Sequence, residues 1–301
     1  MTAPLVPAAM RIPPPPAALR WVERAVGPGA RVVRVRRLRN AWAAAMHAVD
    51  VEHGGVAHAL VLRRWARTDI DPDEGVVDNE AAALDAVLDA QVRAPRLVAA
   101  DPEGEACGAP ALLMTRLRGR DVLSPPDVAR WSEALAATLR SVHEIALPRR
   151  GLGAYEPWNL DVVTAPPTCV RAKDAWARAI EIAHGEAPTG APVLCHRDFH
   201  PGNVLWHRGR VSGVVDWTHA CRGPAAVDVA HCRLNLCWLF GLDVADAFAD
   251  LAYYDCVDAV GVGDHPPDAW RWNDAGRSDL TTDGLIARLD DFVTDAVGRA
   301  G

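Results

Sequence analysis

A short apolar run followed by a dense cluster of hydrogen-bonding side chains constrains this 301-residue chain more than any other feature. Residues 193–206 have the sequence VLCHRDFHPGNVLW, in which His196, Asp198 and Asn203 form the spacing H-x-D-x-x-x-x-N. Apolar runs on both sides predict that this polar loop is held between two short strands. Such a loop would present Asp198 and Asn203 from one rigid turn.

A second acidic residue follows at a defined distance. Residues 204–206 and 211–215 flank the turn 207–210 and predict a small hairpin, after which comes Asp216. Transfer of a phosphoryl group from a nucleotide needs a carboxylate that orients the attacking hydroxyl and accepts its proton, which Asp198 could supply. It also needs oxygen ligands for Mg²⁺, which Asn203 and Asp216 could supply. The alternative is a tight turn whose Asp and Asn side chains only cap backbone groups.

This stretch resembles the catalytic loop of the aminoglycoside phosphotransferase and choline-kinase-like enzymes, which are relatives of protein kinases. Their loop often contains H-P-x-N, as residues 200–203 do here, and their metal-binding Asp is followed by an aromatic residue, as Asp216 is by Trp217. The resemblance implies a further Asp, here Asp228, that anchors the catalytic loop. It extends over roughly residues 30–240.

The same resemblance suggests nucleotide-binding residues in the first part of the chain. Arg63, with Arg64 as second choice, would hold the nucleotide phosphates, since the arginine fork suits phosphate oxygens. Glu80, on the next predicted helix, would orient this phosphate-binding arginine. Backbone groups near Thr115 and Leu117 would bind the purine, and Met114 would line its pocket. The alternatives are a surface charge for Arg63, a solvated helix residue for Glu80 and an ordinary edge strand for residues 111–117.

One departure from the family pattern concerns the loop expected to cover the nucleotide. Residues 38–43 contain no glycine, whereas related kinases often place Gly or Ser there so that backbone amides can approach phosphate. The role of this loop and the choice between ATP and GTP therefore stay open. The same departure motivates a non-enzymatic alternative, a pseudokinase that binds nucleotide without turnover.

Hydrophobic periodicity divides the chain into a strand-rich part followed by a helix-rich part. In the first part it predicts helices at 17–26 and 76–90 and strands at 31–37, 44–51, 56–63, 96–100 and 109–116. In the second it predicts helices at 124–145 and 170–184, a strand at 192–196 and a helical tail from residue 225 that is interrupted at 261–268. Pro126 is expected in the first turn of the helix at 124–145.

These elements predict an α+β fold of the bilobal protein-kinase-like type, with a small antiparallel-sheet lobe and a larger, mostly helical lobe. The expected divisions are a flexible, Pro-rich arm (1–16), a nucleotide-binding lobe (17–119) and a lobe that carries catalysis and acceptor binding (120–301).

Composition excludes several classes of protein. With 50 % hydrophobic and 24 % charged residues, the chain is an ordinary globular sequence rather than a disordered one. A net charge of −7 argues against a general nucleic-acid binder. The absence of a long apolar run and of a signal-like start predicts a cytoplasmic protein without membrane contact. Seven scattered cysteines predict reduced, mostly buried thiols, and the pair Cys195–His196 is the weaker suggestion of a zinc site or a nucleophile.

Charge is unevenly distributed along the chain. Residues 241–301 carry thirteen Asp against four Arg, a net charge of −9. These carboxylates either form an acidic wall that attracts a cationic acceptor or lie on solvated helix faces.

The sequence thus predicts a phosphotransferase that uses Mg²⁺ and ATP or GTP to phosphorylate a hydroxyl of a small molecule. An aminoglycoside or another antibiotic is one acceptor class, which would make the protein a resistance factor. A different metabolite, such as a choline-like compound, a sugar or an amino alcohol, is the alternative, because one fold hosts many substrates.

Overall fold

The computed structural model describes residues 12–38, 44–66, 75–148, 151–248, 251–262 and 267–300. The chain forms two compact units. The first comprises Met1–Arg118, Arg149–Gly151 and Gly213–His219, and the second comprises Gly119–Pro148, Leu152–Ser212 and Ala220–Gly301. The expected divisions at residues 16/17 and 119/120 stay predictions. Of the loop at 38–43, only Leu38 lies within the described residues.

The first unit is built on an antiparallel sheet. Its elements are α1 (Pro16–Val26), β1 (Arg31–Arg37), β2 (Ala45–His53), β3 (Val56–Arg64), α2 (Val76–Ala86), β4 (Leu97–Asp101) and β5 (Ala111–Thr115). The five strands lie in the order β1-β2-β3-β5-β4, so β3 is the central strand and β1 and β4 are the edges.

Sequence explains both the edge and the turn of this sheet. β1 consists of three Val and four Arg residues, and charged side chains on an edge strand discourage pairing with another chain. β2 and β3 are joined through Gly54 and Gly55, whose φ values of 57° and 76° are the left-handed conformations that a two-residue type I′ turn requires. The turn fixes the register at His53 opposite Val56, which places Met46 opposite Arg63.

The core of the first unit lies where α1 packs against the sheet. Ala18 and Val22 of α1 are fully buried with Val49 of β2 and Leu62 of β3. Side chains three and four residues apart share a helix face, so α1 can bury one apolar stripe and leave its arginines outside.

The second unit is mainly helical. Its elements are α3 (Val128–His143), α4 (Lys173–Ala183), β6 (Val193–Cys195), β7 (Val204–His207), β8 (Arg210–Val214, which continues into the first unit), β9 (Cys221–Gly223), α5 (Ala226–Phe240), α6 (Leu242–Ala245), α7 (Ala252–Val262), α8 (Ala269–Asp274) and α9 (Thr282–Ala300). Short 3₁₀ turns cover Pro201–Asn203 and Asp246–Phe248.

Helices α4, α5, α7 and α9 pack against one another as the core of this unit. A hydrogen bond joins two of these helices: the indole Nε1 of Trp176 in α4 donates to Asp290 Oδ1 of α9 at 3.0 Å. Trp176 is fully buried, and a buried indole N–H needs such a partner.

The predicted elements are present, with several differences at their ends. The helix predicted at 76–90 ends at Ala86, and that predicted at 170–184 begins only at Lys173. Pro126 precedes its helix, because Asp127 is the N-cap and accepts a hydrogen bond from Arg130 N at 3.0 Å. The strand Cys221–Gly223 is absent from the sequence-based prediction; it pairs with β6 and has only three residues, too few for a periodic signal.

The described helices include none that combines the length and the apolar character needed to cross a membrane.

Candidate functional site

The backbone of the loop that carries Asp198 is tied to the start of α5. Asp228 accepts hydrogen bonds from Arg197 N at 2.6 Å through Oδ1 and from His196 N at 2.8 Å through Oδ2. Oδ2 also lies 3.0 Å from His143 Nε2 of α3. These hydrogen bonds hold the loop backbone to Asp228, the residue that the family resemblance implies as the anchor of the loop.

The carboxylate of Asp198 is held by partners at both oxygens. Asn203 Nδ2 donates to Asp198 Oδ2 and to the Asp198 backbone oxygen, each at 2.9 Å. Nε2 of His231, in α5, lies 3.0 Å from Asp198 Oδ1. The side chain of Asp198 is nevertheless 28 % exposed, so an incoming molecule can reach it.

Charges around Asp198 keep this group ionised. Burial raises its pKa, but the neighbouring His200, the hydrogen bond and charge of His231 and the neighbouring His196 outweigh burial and hold the pKa well below the usual range for Asp. His200 Nε2 is 3.8 Å from Asp198 Oδ1, and its Nδ1 accepts from Gly202 N at 3.1 Å. His200 therefore lies beside the carboxylate.

Behind His231 lies a second carboxylate that the sequence analysis missed. Nδ1 of His231 is 3.1 Å from Asp258 Oδ1, on α7. Burial lowers the pKa of His231, but Asp258 and Asp198 raise it to about 10. A signal for His231 existed, since it follows Asp228 by three residues on one helix and must lie near the same face. Local sequence gives no such signal for Asp258.

Arg197, the residue before Asp198, has several contacts of its own. Its guanidinium carbon lies 3.6 Å from the ring centre of Trp158 and 4.6 Å from that of Tyr155. Nη2 donates to Glu156 O at 3.2 Å, and Nη1 is 3.9 Å from Asp258 Oδ1. Arg197 has a φ of 71°, an unfavourable value for a residue with a side chain, so these contacts offset backbone strain next to Asp198.

A separate polar group occupies the first unit. Arg63, at the end of the central strand β3, donates from Nη1 to both oxygens of Glu80 at 2.8 and 2.7 Å and to Thr218 Oγ1 at 2.6 Å. Its Nη2 is 2.7 Å from Asp216 Oδ1. Burial lowers the pKa of Arg63, but Asp216 and Glu80 outweigh it and raise that pKa above its usual value.

The structure separates the alternatives for Glu80 and Arg64. Glu80 is 1 % exposed, on the buried face of α2, so it is not a solvated helix residue. Arg64 donates from Nε to Cys107 O at 3.1 Å, whereas Arg63 donates to both oxygens of Glu80, so Arg63 rather than Arg64 fits the family pattern. Thr218, which donates to Asp216 Oδ1 at 2.8 Å, was missed because a lone Thr carries no motif.

Asp216 follows β8 in a left-handed conformation, with a φ of 67°. This conformation is uncommon for residues other than Gly, Asn and Asp, and it turns the chain sharply at the point where the carboxylate is needed. The Asp216 side chain is 34 % exposed.

The predicted purine-binding segment forms part of strand β5. Met114 is buried. The Thr115 N–H donates to Arg96 O at 2.9 Å, and its hydroxyl accepts from Arg96 N at 2.8 Å. Leu117 is partly exposed just beyond the strand. The purine-binding roles of these three residues stay predictions.

Many carboxylates of the acidic segment serve internal contacts of the second unit. Arg233 of α5, which is fully buried, pairs with Asp246 (2.7 Å), Asp255 (3.0 Å) and Asp295 (2.6 Å). Asp255 and Asp295 also pair with Arg299. These carboxylates compensate buried arginine charge, which weakens the interpretation of the segment as an acidic wall.

All seven cysteines are free thiols, and all but Cys169 are buried. The suggestion of a zinc site at Cys195–His196 finds no support, since no set of three or more His, Cys, Asp or Glu side chains could hold a metal ion in the described ranges. The hydrogen bond with Cys221 and burial raise the pKa of Cys195, which argues against a nucleophilic thiolate.

Each unit therefore gathers its own predicted residues. The first brings together Arg63, Glu80 and Asp216, and the second brings together Asp198 and Asn203.

Among curated proteins, homoserine kinases are similar to this chain. The one from Methylobacterium sp. (strain 4-46) is 31 % identical over 152 residues, which cover 46 % of this chain and 45 % of that protein. The one from Methylorubrum populi is 32 % identical over 167 residues, 51 % of each chain. The chain spans about half the length of the curated relatives it matches.

Solved structures show the same fold at low sequence identity. A thermostable variant of aminoglycoside phosphotransferase APH(4)-Ia, crystallised with ADP and hygromycin B, superposes with a TM-score of 0.62 and 16 % identity and covers 95 % of this chain and 99 % of that one. The kinase-like α+β fold is thereby confirmed. The model of the phosphotransferase enzyme family APH matches residues 34–260. The chain belongs to this phosphotransferase family.

Proposed function

We propose that this protein transfers the terminal phosphoryl group of a Mg²⁺-nucleotide to a hydroxyl of a small molecule. The bond between the terminal phosphorus and the bridging oxygen breaks, and a bond from phosphorus to the acceptor oxygen forms. The hydroxyl proton passes to Asp198 and then to solvent, and the nucleoside diphosphate leaves. Positioning and charge neutralisation account for most of the rate of such a reaction.

The observation that supports this proposal most directly is the arrangement around the Asp198 carboxylate. This carboxylate is ionised, reachable and fixed at both oxygens, and its loop is anchored by Asp228. A carboxylate that only caps a turn does not need partners on two different elements. The acceptor hydroxyl would donate to Asp198 and thereby point its oxygen at phosphorus.

The oxygen-bearing side chains fit a magnesium ion. Mg²⁺ prefers oxygen ligands and commonly uses one or two protein groups in addition to phosphate oxygens and water. Asp216, with its exposed carboxylate, and Asn203, through its amide oxygen, would be those two groups. When bound, the ion neutralises charge on the phosphate oxygens.

Arg63 is the proposed phosphate ligand, and Glu80 is its orienting partner. The two hydrogen bonds to Glu80 fix the guanidinium plane, and the contact with Asp216 links the phosphate-binding group to a metal-binding one. Met114, Thr115 and Leu117 would contact the purine, with backbone groups near Leu117 as donor and acceptor. The donor is ATP or GTP.

For the acceptor, the comparisons support two classes. The structural neighbour binds hygromycin B, a hydroxyl-bearing antibiotic, whereas the curated relatives are homoserine kinases. Asp246, Asp255 and Asp295 are engaged by Arg233 inside the second unit, so these three carboxylates are not free to bind a polycation. A hydroxylated amino acid or amino alcohol is therefore the second candidate besides an aminoglycoside.

The test is acceptor-stimulated release of ADP or GDP in the presence of Mg²⁺. Acceptors would include aminoglycosides, macrolides, homoserine, choline, sugars and amino alcohols. In Asp198→Ala the turnover should fall at least about 100-fold, the lower range for a positioned proton acceptor, while nucleotide affinity stays unchanged. His184→Ala, an exposed residue at the end of α4, is the matched control.

Turnover that persists in Asp198→Ala would contradict the assigned role of this carboxylate. Nucleotide binding without turnover under any acceptor would favour the pseudokinase. Absence of nucleotide binding would refute the roles of Arg63, Asn203 and Asp216.

A further inference from the structure

One buried imidazole links the Asp198 carboxylate to a second carboxylate, and no motif in the sequence marks this link. His231 is 7 % exposed and lies on α5, with Nε2 at 3.0 Å from Asp198 Oδ1 and Nδ1 at 3.1 Å from Asp258 Oδ1. An ionised carboxylate can only accept hydrogen bonds, so both ring nitrogens must donate. A neutral imidazole has one N–H, whereas an imidazolium has two. The bridge therefore requires a charged His231.

The surroundings favour this charge state. Asp258 faces Arg197 Nη1 at 3.9 Å. The other groups near the ring are the edge of Trp158, with ring centres 5.6 Å apart, and His200, at 6.1 Å. Asn235, one turn later on α5, lies 3.3 Å from Nε2, farther than Asp198. Two carboxylates thus face one imidazolium, with Arg197 balancing the second carboxylate.

We propose that His231, held as an imidazolium by Asp258, is a positioning residue that orients the Asp198 carboxylate for the acceptor hydroxyl. The effect of His231 on turnover rests on the proposed function. The bridge of hydrogen bonds from Asp198 through His231 to Asp258 does not depend on that function. His231 and Asn203 hold different oxygens of Asp198, so together they fix the plane of the carboxylate. His231 reaches Asp198 from a rigid helix, whereas Asn203 belongs to the same loop as Asp198.

The charge also has a chemical consequence. An imidazolium beside Asp198 opposes protonation of that carboxylate. Asp198 therefore remains a hydrogen-bond acceptor until the hydroxyl oxygen has begun to bond to phosphorus, which suits the loose transition state of phosphoryl transfer. Asp258 lies beyond His231 and would act only through it.

The first measurement reads the charge of His231 without any enzymatic assay. Histidine ring ¹⁵N spectra of the full chain at pH 8 should show one buried ring with both nitrogens protonated, and its signal should vanish in His231→Asn. The ring of the exposed His184 provides the reference signal. A His231 ring with a single protonated nitrogen at pH 8 would overturn the inference.

The second measurement uses two neutral replacements that differ in reach. The Asn amide lies near the position of Nδ1 and can contact Asp258 only, whereas the Gln amide reaches the position of Nε2 and can donate to Asp198. His231→Asn should lower kcat about 100-fold, as expected for a misplaced reacting group, and His231→Gln should restore it to within about tenfold of the original. KM for the nucleotide should stay the same in both.

His184→Asn and His184→Gln are the matched controls, and thermal unfolding shows that each variant is folded. Equal kcat losses in the two His231 variants, or an unchanged kcat in His231→Asn, would overturn the positioning role. A wild-type protein that shows no turnover with any acceptor would instead refute the proposed function, while the ¹⁵N spectra still decide whether the charged bridge exists.

Discussion

At the scale of the residue, two positions combine an unfavourable backbone with a demanding side-chain role. Arg197 and Asp216 both have positive φ values, 71° and 67°. Each side chain is also held by specific contacts: two aromatic rings for Arg197, and Arg63 with Thr218 for Asp216. Backbone strain of this kind persists only where surrounding contacts offset it.

Substitution of Arg197 separates the strain from the side-chain contacts. Arg197→Ala and Arg197→Gly both lose the ring contacts and the bond to Glu156 O, but only glycine is free of the left-handed penalty. We expect both variants to be less stable than the original. Arg197→Gly should be more stable than Arg197→Ala by about 1–2 kcal/mol. Urea unfolding measures the difference, and an alanine variant as stable as the glycine variant would contradict the strain.

The role of Arg63 depends on its surroundings in the fold as well as on its residue type. The family resemblance suggests a phosphate ligand, and the place of this arginine at the end of an apolar strand suggests a surface charge. The structure buries it against Glu80, Thr218 and Asp216, so it is not a surface charge and three partners fix its guanidinium group. Removing one partner of such a buried pair leaves an uncompensated charge, which makes this position intolerant of substitution.

At the scale of the element, the loop after β6 depends on a helix that begins thirty residues later in the sequence. Asp228 lies in the first turn of α5, and its carboxylate accepts two loop N–H groups and contacts His143 of α3. One side chain thereby ties together β6, α3 and α5. The geometry of Asp198 follows from this anchor, because Arg197 N and His196 N immediately precede it.

Asp228→Ala should destabilise the second unit markedly. Two buried N–H groups lose a charged acceptor, so we expect the free energy of unfolding to fall by about 3 kcal/mol or more. Asp228→Asn keeps one acceptor oxygen, so its free energy of unfolding should lie between that of the original chain and that of Asp228→Ala. Denaturant unfolding gives the order, and an alanine variant as stable as the asparagine variant would show that the anchor is replaceable.

At the scale of the whole molecule, acidic residues are concentrated at the end of the sequence, and several of them form ion pairs inside the fold. The last sixty residues have a strong acidic surplus, yet Arg233 and Arg299 compensate several of their carboxylates. His231 compensates Asp258 and Asp198 in the same way. Acidic patterning in the sequence therefore reports internal ion pairs as well as surface charge.

This balance predicts how stability depends on pH. Asp258 and Asp198 raise the pKa of His231 to about 10 against burial, whereas the unfolded value is about 6.5. The folded chain therefore keeps a proton that the unfolded chain loses, and the stabilisation is complete below about pH 6.5 and disappears as the pH rises through 10. From pH 7 to pH 9 the free energy of unfolding should fall by about 2–3 kcal/mol on this account.

The difference between the original chain and His231→Asn isolates this contribution, because the buried thiols titrate alike in both. Urea unfolding at pH 7, 8 and 9 should show a steeper decline for the original chain than for the variant. Parallel declines would mean that His231 is not charged in the folded protein.

Sequence by itself determined the elements and the chemistry of the loop. A run of Val and Arg predicted β1, the glycine pair predicted the hairpin between β2 and β3, and the spacing of Asp198 and Asn203 predicted a loop in which the two side chains meet. These features succeed because they are local: strand period, turn conformation and a short spacing are set by neighbouring residues.

Tertiary structure alone decided which charges are buried and which groups meet across the chain. Glu80 is a buried partner of Arg63, Asp258 contacts His231 from another helix, and Cys221–Gly223 becomes a strand only beside β6. A helical period cannot distinguish a buried carboxylate from a solvated one, since the partner that compensates its charge comes from a distant segment. The bridge from Asp198 through His231 to Asp258 joins a loop and two helices, and only the packing of those elements brings its three residues together.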